Sequence, residues 1–149
     1  MSFQIIPARP GHIDWLIDRD RHVSDDWVRR CVSLGEYLVA EREGEPVGFL
    51  RFSWFWGTIP YLEMIQVLAA HRRAGVGGTL LEAWQETMHG KGATLLLTSC
   101  VEEESEPRAW HRRNGFVEAG RMALGHLQTE SELFLVKDLR PRETVPPPR

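Results

Sequence analysis

Polar and apolar positions change period several times along the chain, and each change marks an element. Residues 3–6 read as a short strand, stopped by Pro7 and Pro10. Over residues 12–21, Ile13, Leu16 and Ile17 fall at helical spacing. Ser24, Asp25 and Asp26 open a second helix, which carries Val28 and Cys31 on one side and closes at Gly35. The period then shortens. Residues 36–42, 47–56 and 61–68 read as three strands joined by turns at 43–46 and 57–60, an antiparallel meander. Helical spacing returns over 76–89, with Leu80, Leu81, Trp84 and Met88 in one stripe, and Gly90 and Gly92 end it. Residues 93–101 are an almost unbroken apolar run, the pattern of a strand buried on both faces. Strand, helix, strand predicts a parallel pair with a right-handed crossover. A short helix over 106–114 ends at Gly115, and strands at 116–123 and 131–136 complete the order β-α-α-β-β-β-α-β-α-β-β.

Composition narrows the picture. At 149 residues one core suffices without disulfides or metals, so residues 1–139 read as one domain. Residues 140–149 carry four prolines and no apolar period, and read as a disordered tail. A net charge of −3 argues against nucleic acid, which needs a basic field. No run approaches the length of a membrane span, and residues 1–10 lack the pattern of a signal peptide. Cys31 and Cys100 read as buried free thiols, which fits a reducing cytoplasm. The aromatic residues of the third strand read as alternating core and rim packing. That strand and the last one also offer surfaces for a homodimer.

The chemistry concentrates between the fourth strand and the third helix. Gly75, Gly77 and Gly78 let a ligand approach the backbone closely, where free N–H groups and the helix dipole favour an anion. Arg72 and Arg73 add positive charge beside that nest. This is a phosphate or pyrophosphate cradle. A Walker loop is excluded, because no Lys stands before Thr79. A dinucleotide fingerprint fits poorly, because Leu80 replaces its third glycine and the loop follows the fourth strand.

The segment resembles the Gcn5-related N-acetyltransferase (GNAT) family, whose pattern is V-x-P-x-x-R-x-x-G-x-G/A between a strand and a helix. Here the matching residues are Val67, Ala69 in place of Pro, Arg72, Gly75 and Gly77. A family feature nearer the C-terminus, an aromatic pair followed by Gly-Phe, is matched by the stretch from Trp110 to Phe116. The element order matches as well. The resemblance implies an α/β (α+β) fold: a mixed, mostly antiparallel sheet of seven strands with four flanking helices. Its parallel fourth and fifth strands would splay apart. It also implies acetyl-CoA as cofactor. Backbone amides of Arg72, Arg73, Ala74, Gly75, Val76, Gly77 and Gly78 would bind the pyrophosphate, with Thr79 beside them. Val67, Leu68 and Ala69 would border the pantetheine arm, with Val67 and Ala69 pairing to it as an added strand does.

The implied reaction is direct attack of a primary amine on the thioester. The acceptor would be a small polyamine-like or amino-sugar-like molecule, a peptide terminus or a lysine. An amine is mostly protonated at neutral pH, so something must take a proton. Glu63, in an otherwise apolar strand and at the same parity as Val67, is the candidate base. Burial would raise its pKa and Arg51 would lower it, and an ion pair with Arg51 is the alternative role. A backbone N–H near Val67 or Leu68 would serve a developing oxyanion.

Two departures from the family pattern stand out. The usual Tyr acid is replaced by His111, which is therefore both a cofactor-contact and a catalytic candidate; Tyr61 is the second candidate acid. The usual Asn that contacts pantetheine is Glu104. These departures support an alternative, a GNAT-like module that binds acyl-CoA without transferring it. The acidic residues Glu102, Glu103, Glu104 and Glu106 read as a solvated loop or as an attractor of cations. Asp18, Asp20, Asp25 and Asp26 read as helix surface or as amine contacts.

Overall fold

The computed structural model describes residues 3–141. The proline-rich tail expected at 140–149 lies, from residue 142 onward, outside the described residues. Strands β1 (Gln4–Pro7), β2 (Tyr37–Arg42), β3 (Glu45–Phe55), β4 (Ile59–Val67), β5 (Leu95–Val101), β6 (Val117–Met122) and β7 (Glu132–Asp138) form one sheet in the order β1-β2-β3-β4-β5-β7-β6. Every neighbouring pair is antiparallel except β4 and β5. Helices α1 (Ile13–Arg19), α2 (Asp25–Ser33), α3 (Val76–Gly90) and α4 (Ser105–Arg113) complete the expected order. No helix among the described residues is long and apolar enough to cross a membrane.

Local chemistry explains the elements. Ser24 Oγ accepts the Trp27 N–H at 3.2 Å and caps α2. The hairpins β2–β3 and β3–β4 turn on the positive-φ pairs Glu43–Gly44 and Trp56–Gly57. The α3 stripe of Val76, Leu80, Leu81, Trp84 and Met88 is buried against one sheet face, with Phe116 beyond α4. On the opposite face α1 and α2 bury Leu16, Val28 and Cys31 against Tyr37 and Phe49. The third-strand aromatics divide between these faces: Phe49 packs with Trp15 and Tyr37, Phe52 with Trp84. Cys31 and Cys100 are buried free thiols.

One strand departs from its sequence pattern. β5 is buried on one face only: Leu96, Thr98 and Cys100 are covered, while Leu95, Leu97, Ser99 and Val101 are half-buried. Among the described residues packed on the α1–α2 layer none comes from β5, and that face of β5 stays partly exposed. The apolar run is the mark of a parallel strand with helices on both sides, and here one side lacks its helix.

Candidate active site

β4 and β5 pair only at Tyr61↔Leu97 and Leu62↔Thr98. The rest of β4, out to Val67, runs on without a β5 partner. Splaying is thus present where it was expected. Pairing with β3 shows why it begins there. Phe52 is opposite Leu62 and Arg51 is opposite Met64, so Glu63 is the extra residue of a β-bulge. The bulge resets the alternation. Leu62, Ile65 and Val67 all pack toward α3, while Glu63 meets Ser53 and Met64 packs toward α1 and α2. This corrects the sequence expectation for Glu63. Equal parity with Val67 predicted one face, and the inserted residue puts the two on opposite faces.

Backbone groups at the gap follow from the same register. Leu68 N–H donates to Val47 O at 2.9 Å, so Leu68 is not the open amide expected for an oxyanion. Antiparallel alternation then makes Gly48↔Val67 and Leu50↔Ile65 the pairs that do not bond across to β3. Ile65 and Val67 therefore turn their N–H groups toward the side that β5 has left. Val67 fits the oxyanion expectation; Ile65 was not among the sequence candidates.

On the α3 side the gap opens into a groove of about 970 Å³. Ile65 and Val67 form one edge, Arg72, Arg73 and Gly77 the next, and Pro107, Trp110 and His111 of α4 the far wall. Gly75 caps α3 at φ +82°, a left-handed backbone that favours glycine. The Thr79 N–H and Oγ1 both donate to Gly75 O, so the helix uses Thr79 itself. The amides of Val76, Gly77 and Gly78 precede the first helical hydrogen bond and have no partner within the helix. The Val76 side chain is in the core, and only its backbone belongs to the cradle. A Cβ on Gly77 would lie 3.5 Å from Trp110 and 3.8 Å from Val67, inside the groove. Leu68, Ala69 and Ala74 do not line the groove, Gly78 brings backbone alone, and Ala69 lies in a 3-10 turn beyond the end of β4 rather than in the strand edge expected to pair with the arm. Arg72 Nε donates to Val67 O at 3.1 Å, tying the cradle to the β4 edge. Free amides, two arginines and a long apolar-edged groove fit a pyrophosphate with an extended arm.

His111 stands in the groove wall and is 6% exposed. Burial lowers its pKa to about 4, so the ring is neutral at pH 7. Among the described residues Nδ1 is buried without a partner, which leaves Nε2 as the nitrogen for the groove. Glu104 is an exposed residue at the start of α4. Of the other acidic residues there, Glu102 pairs with Arg121 at 2.8 Å and Glu106 borders the groove.

The α1–α2 side of the gap is made of side chains. Glu63 accepts from Arg51 Nη1 at 2.5 Å and from Ser53 Oγ at 2.9 Å. Arg51 also donates Nε to Asp20 Oδ2 at 2.7 Å, and Tyr37 Oη donates to that same oxygen at 2.6 Å. Asp20 is therefore buried and fully engaged, which removes it from the amine contacts considered above. Asp18 pairs with Arg21 and Asp26 with Arg29 on the helix surface. Tyr61 Oη lies 2.6 Å from Ser99 Oγ, and burial raises its pKa. Glu36, half-buried, has its pKa raised by burial and by Glu63, against the pull of Arg30. Sequence reasoning missed Glu36, Ser53, Ser99 and Glu132. Only Ser99 carried a signal, as a hydroxyl inside an apolar run.

Comparison with known proteins agrees with this geometry. The family profile described as "Acetyltransferase (GNAT) domain" matches residues 33–118, more than half of the chain. No curated protein matches the sequence. Among solved structures, Ard1 from Thermoplasma volcanium has 15% identity and a TM-score of 0.82, covering 95% of this chain and 100% of that one. The ribosomal-protein-S18-alanine N-acetyltransferase from Escherichia coli has 16% identity and a TM-score of 0.79, covering 96% and 97%. YncA from Salmonella typhimurium, solved with acetyl-CoA, has 17% identity and a TM-score of 0.77, covering 99% of each chain. At these identities the likeness is one of fold. The matched segment, by contrast, includes the cradle, the gap and α4, and the chain belongs to the GNAT family of acetyltransferases, whose co-substrate is acetyl-CoA.

Proposed function

We propose that the chain transfers the acetyl group of acetyl-CoA to a primary amine that enters from the α1–α2 side of the gap. One observation carries this reading: the bulge sets the Glu63 carboxylate on the opposite sheet face from the anion groove, at the point where β4 and β5 part. A donor and an acceptor approaching from opposite faces would meet there. Bound acetyl-CoA supplies an activated thioester carbonyl.

The chain's own residues divide the remaining work. The amides of Val76, Gly77 and Gly78, with Arg72 and Arg73, would hold the pyrophosphate. The free backbone edge at Ile65 and Val67 would align the arm by strand addition and offer an N–H to the carbonyl oxygen. Glu63 takes a proton from the amine, directly or through a water. Arg51 and Ser53 each occupy one of its oxygens, and each oxygen retains a lone pair. His111 serves the sulfur side as a neutral N–H donor, since its lowered pKa leaves almost no imidazolium to give up a proton. Tyr61 stands with Glu63 on the amine side. Glu36, Glu63 and Glu132 make that side acidic, which suits a cationic acceptor.

The test begins with thermal shifts in acetyl-CoA, CoA, NADH and ATP. A ligand at 100 times its Kd adds about 2.7 kcal/mol, a shift of several degrees for a chain of this size. Acetyl-CoA and CoA should stabilise and NADH should not. Spermidine, glucosamine and a peptide with a free α-amino group are then offered with acetyl-CoA. Binding without transfer to any of them would favour the acyl-CoA-binding module instead.

A further inference from the structure

An ammonium that ends as an amide gives up two protons, and Glu63 accounts for one. A second chain of hydrogen bonds leaves the same side of the gap. Tyr61 Oη is 2.6 Å from Ser99 Oγ. Ser99 Oγ donates to Glu132 Oε2 at 2.7 Å. Gln128 Nε2 donates to the other oxygen, Oε1, at 3.1 Å. Tyr61, Ser99 and Glu132 come from β4, β5 and β7, with Gln128 just before β7, so the chain runs across the strands rather than along one.

Counting hydrogens fixes the directions. A carboxylate only accepts, so the single hydrogen of Ser99 goes to Glu132. Tyr61 therefore donates to Ser99, and its own oxygen keeps lone pairs free to accept. So held, Tyr61 can receive a proton from an amine on that side of the gap while passing its own to Ser99. It is poorly arranged to donate to a ligand.

We propose that Tyr61, Ser99 and Glu132 form a proton wire that drains the acceptor nitrogen. The proposal rests on the transfer reading above. In the step, the N–H bond breaks as Tyr61 Oη takes the proton, and the electron pair stays on nitrogen. The Tyr61 O–H bond breaks as Ser99 Oγ takes that hydrogen, and the Ser99 O–H bond breaks as Glu132 Oε2 takes the last. Both hydroxyls end as they began, with their hydrogen bonds reversed, and Glu132 ends as the neutral acid. The charged groups facing Tyr61 are Glu132, Glu63 and Arg51. Burial and the two carboxylates disfavour a tyrosinate, with Ser99 and Arg51 opposing them, so Tyr61 hands the proton on rather than storing charge. Ser99 and Glu132 act through Tyr61 and are positioning residues.

Three variants test the wire. Ser99→Ala cuts it, Ser99→Thr keeps a hydroxyl, and Glu132→Gln removes the terminal acceptor at nearly constant shape. With the fastest acceptor among spermidine, glucosamine and the free α-amino peptide, Ser99→Ala and Glu132→Gln should each lose about 10²-fold in kcat. The KM for acetyl-CoA should hold, and Ser99→Thr should recover most of the rate. A second readout needs no acceptor. The chain has two tyrosines, and Tyr37 is fully buried on Asp20, so the first tyrosinate absorbance on alkaline titration reports Tyr61. Glu132→Gln removes a negative charge and should move that titration to lower pH. An unmoved titration, or near-wild-type turnover in Ser99→Ala and Glu132→Gln, overturns the wire and leaves the transfer reading standing. A wild type that acetylates none of the three acceptors overturns both.

Discussion

The two sides of the β4–β5 gap are built from different kinds of sequence. The cofactor side draws on one contiguous loop, from Arg72 to Gly78, and on the wall of α4, and most of what it offers an anion is backbone. The acceptor side draws side chains from the end of α1 and from β3, β4, β5 and β7: Asp20, Arg51, Glu63, Ser99 and Glu132. A site made of backbone tolerates changes of its exposed side chains with little effect on the fold, so long as no positive-φ glycine is replaced. A site made of buried, mutually paired side chains couples chemistry to stability. Changes on the acceptor side should therefore cost turnover and fold together, and changes on the cofactor side should cost binding.

Glu63→Gln gives the largest expected effect. The amide keeps the shape and can still meet Ser53, but it no longer accepts a proton. Turnover should fall by about 10²–10⁴-fold while acetyl-CoA still raises the melting temperature. Full activity with a good acceptor would move the base to the other side of the comparison or to Glu132.

Arg51→Met comes next, and it addresses stability. Arg51 lies between Asp20, whose side chain has no exposure, and Glu63, 23% exposed. Removing the cation leaves Asp20 as a buried charge supported, among the described residues, only by the Tyr37 hydroxyl. Breaking such a pair from one side costs about 3–5 kcal/mol. The urea midpoint should fall accordingly, whereas Arg72→Ala should leave it unchanged and weaken acetyl-CoA binding. Equal stability for the two variants would remove the contrast between the sides.

What could be read from sequence divides along the same line. The anion loop was legible because glycines, arginines and a helix start sit within eight residues of one another. The order of elements was legible because period and turn chemistry are local, and the paired positive-φ residues of the hairpins are where the turns were placed. The side on which Glu63 lies was not legible. A bulge is a property of two strands in register, and one extra residue on β4 exists only relative to β3. The Tyr61–Ser99–Glu132 contacts were hidden for a similar reason: they depend on β7 lying beside β5, ahead of β6 in the sheet. Asp20 looked like helix surface because nothing near it in sequence announces Arg51.

His111 gives a smaller effect, and pH exposes it. Its folded pKa of about 4 lies below the usual 6.5. Between those values the unfolded chain binds more protons at this residue than the folded one, so the His111 contribution to stability rises with pH. It is fully present above pH 6.5 and is lost as pH falls toward 4, an effect on the order of 3 kcal/mol. Unfolding free energies at pH 7 and near pH 4 should differ less in His111→Gln than in the wild type. An identical difference in both proteins would place the ring in water and take it out of the groove wall.

The glycines of the loop make the finest test, because two neighbours should fail in opposite ways. Gly75 holds φ at +82° with open space around its Cβ position. Gly75→Ala therefore meets no clash but strains the backbone, and should lower stability by about 1–2 kcal/mol. Gly77 has an ordinary helical φ, and its Cβ would make normal contacts at 3.5 Å and 3.8 Å. Gly77→Leu should leave the melting temperature of the free protein nearly unchanged. Its side chain would reach beyond the methyl that the family pattern accepts there and into the groove between Val67 and Trp110, so the stabilisation by acetyl-CoA should shrink. If Gly77→Leu instead destabilises the free protein and binds acetyl-CoA normally, Gly77 serves packing, and the ligand does not pass between β4 and α4.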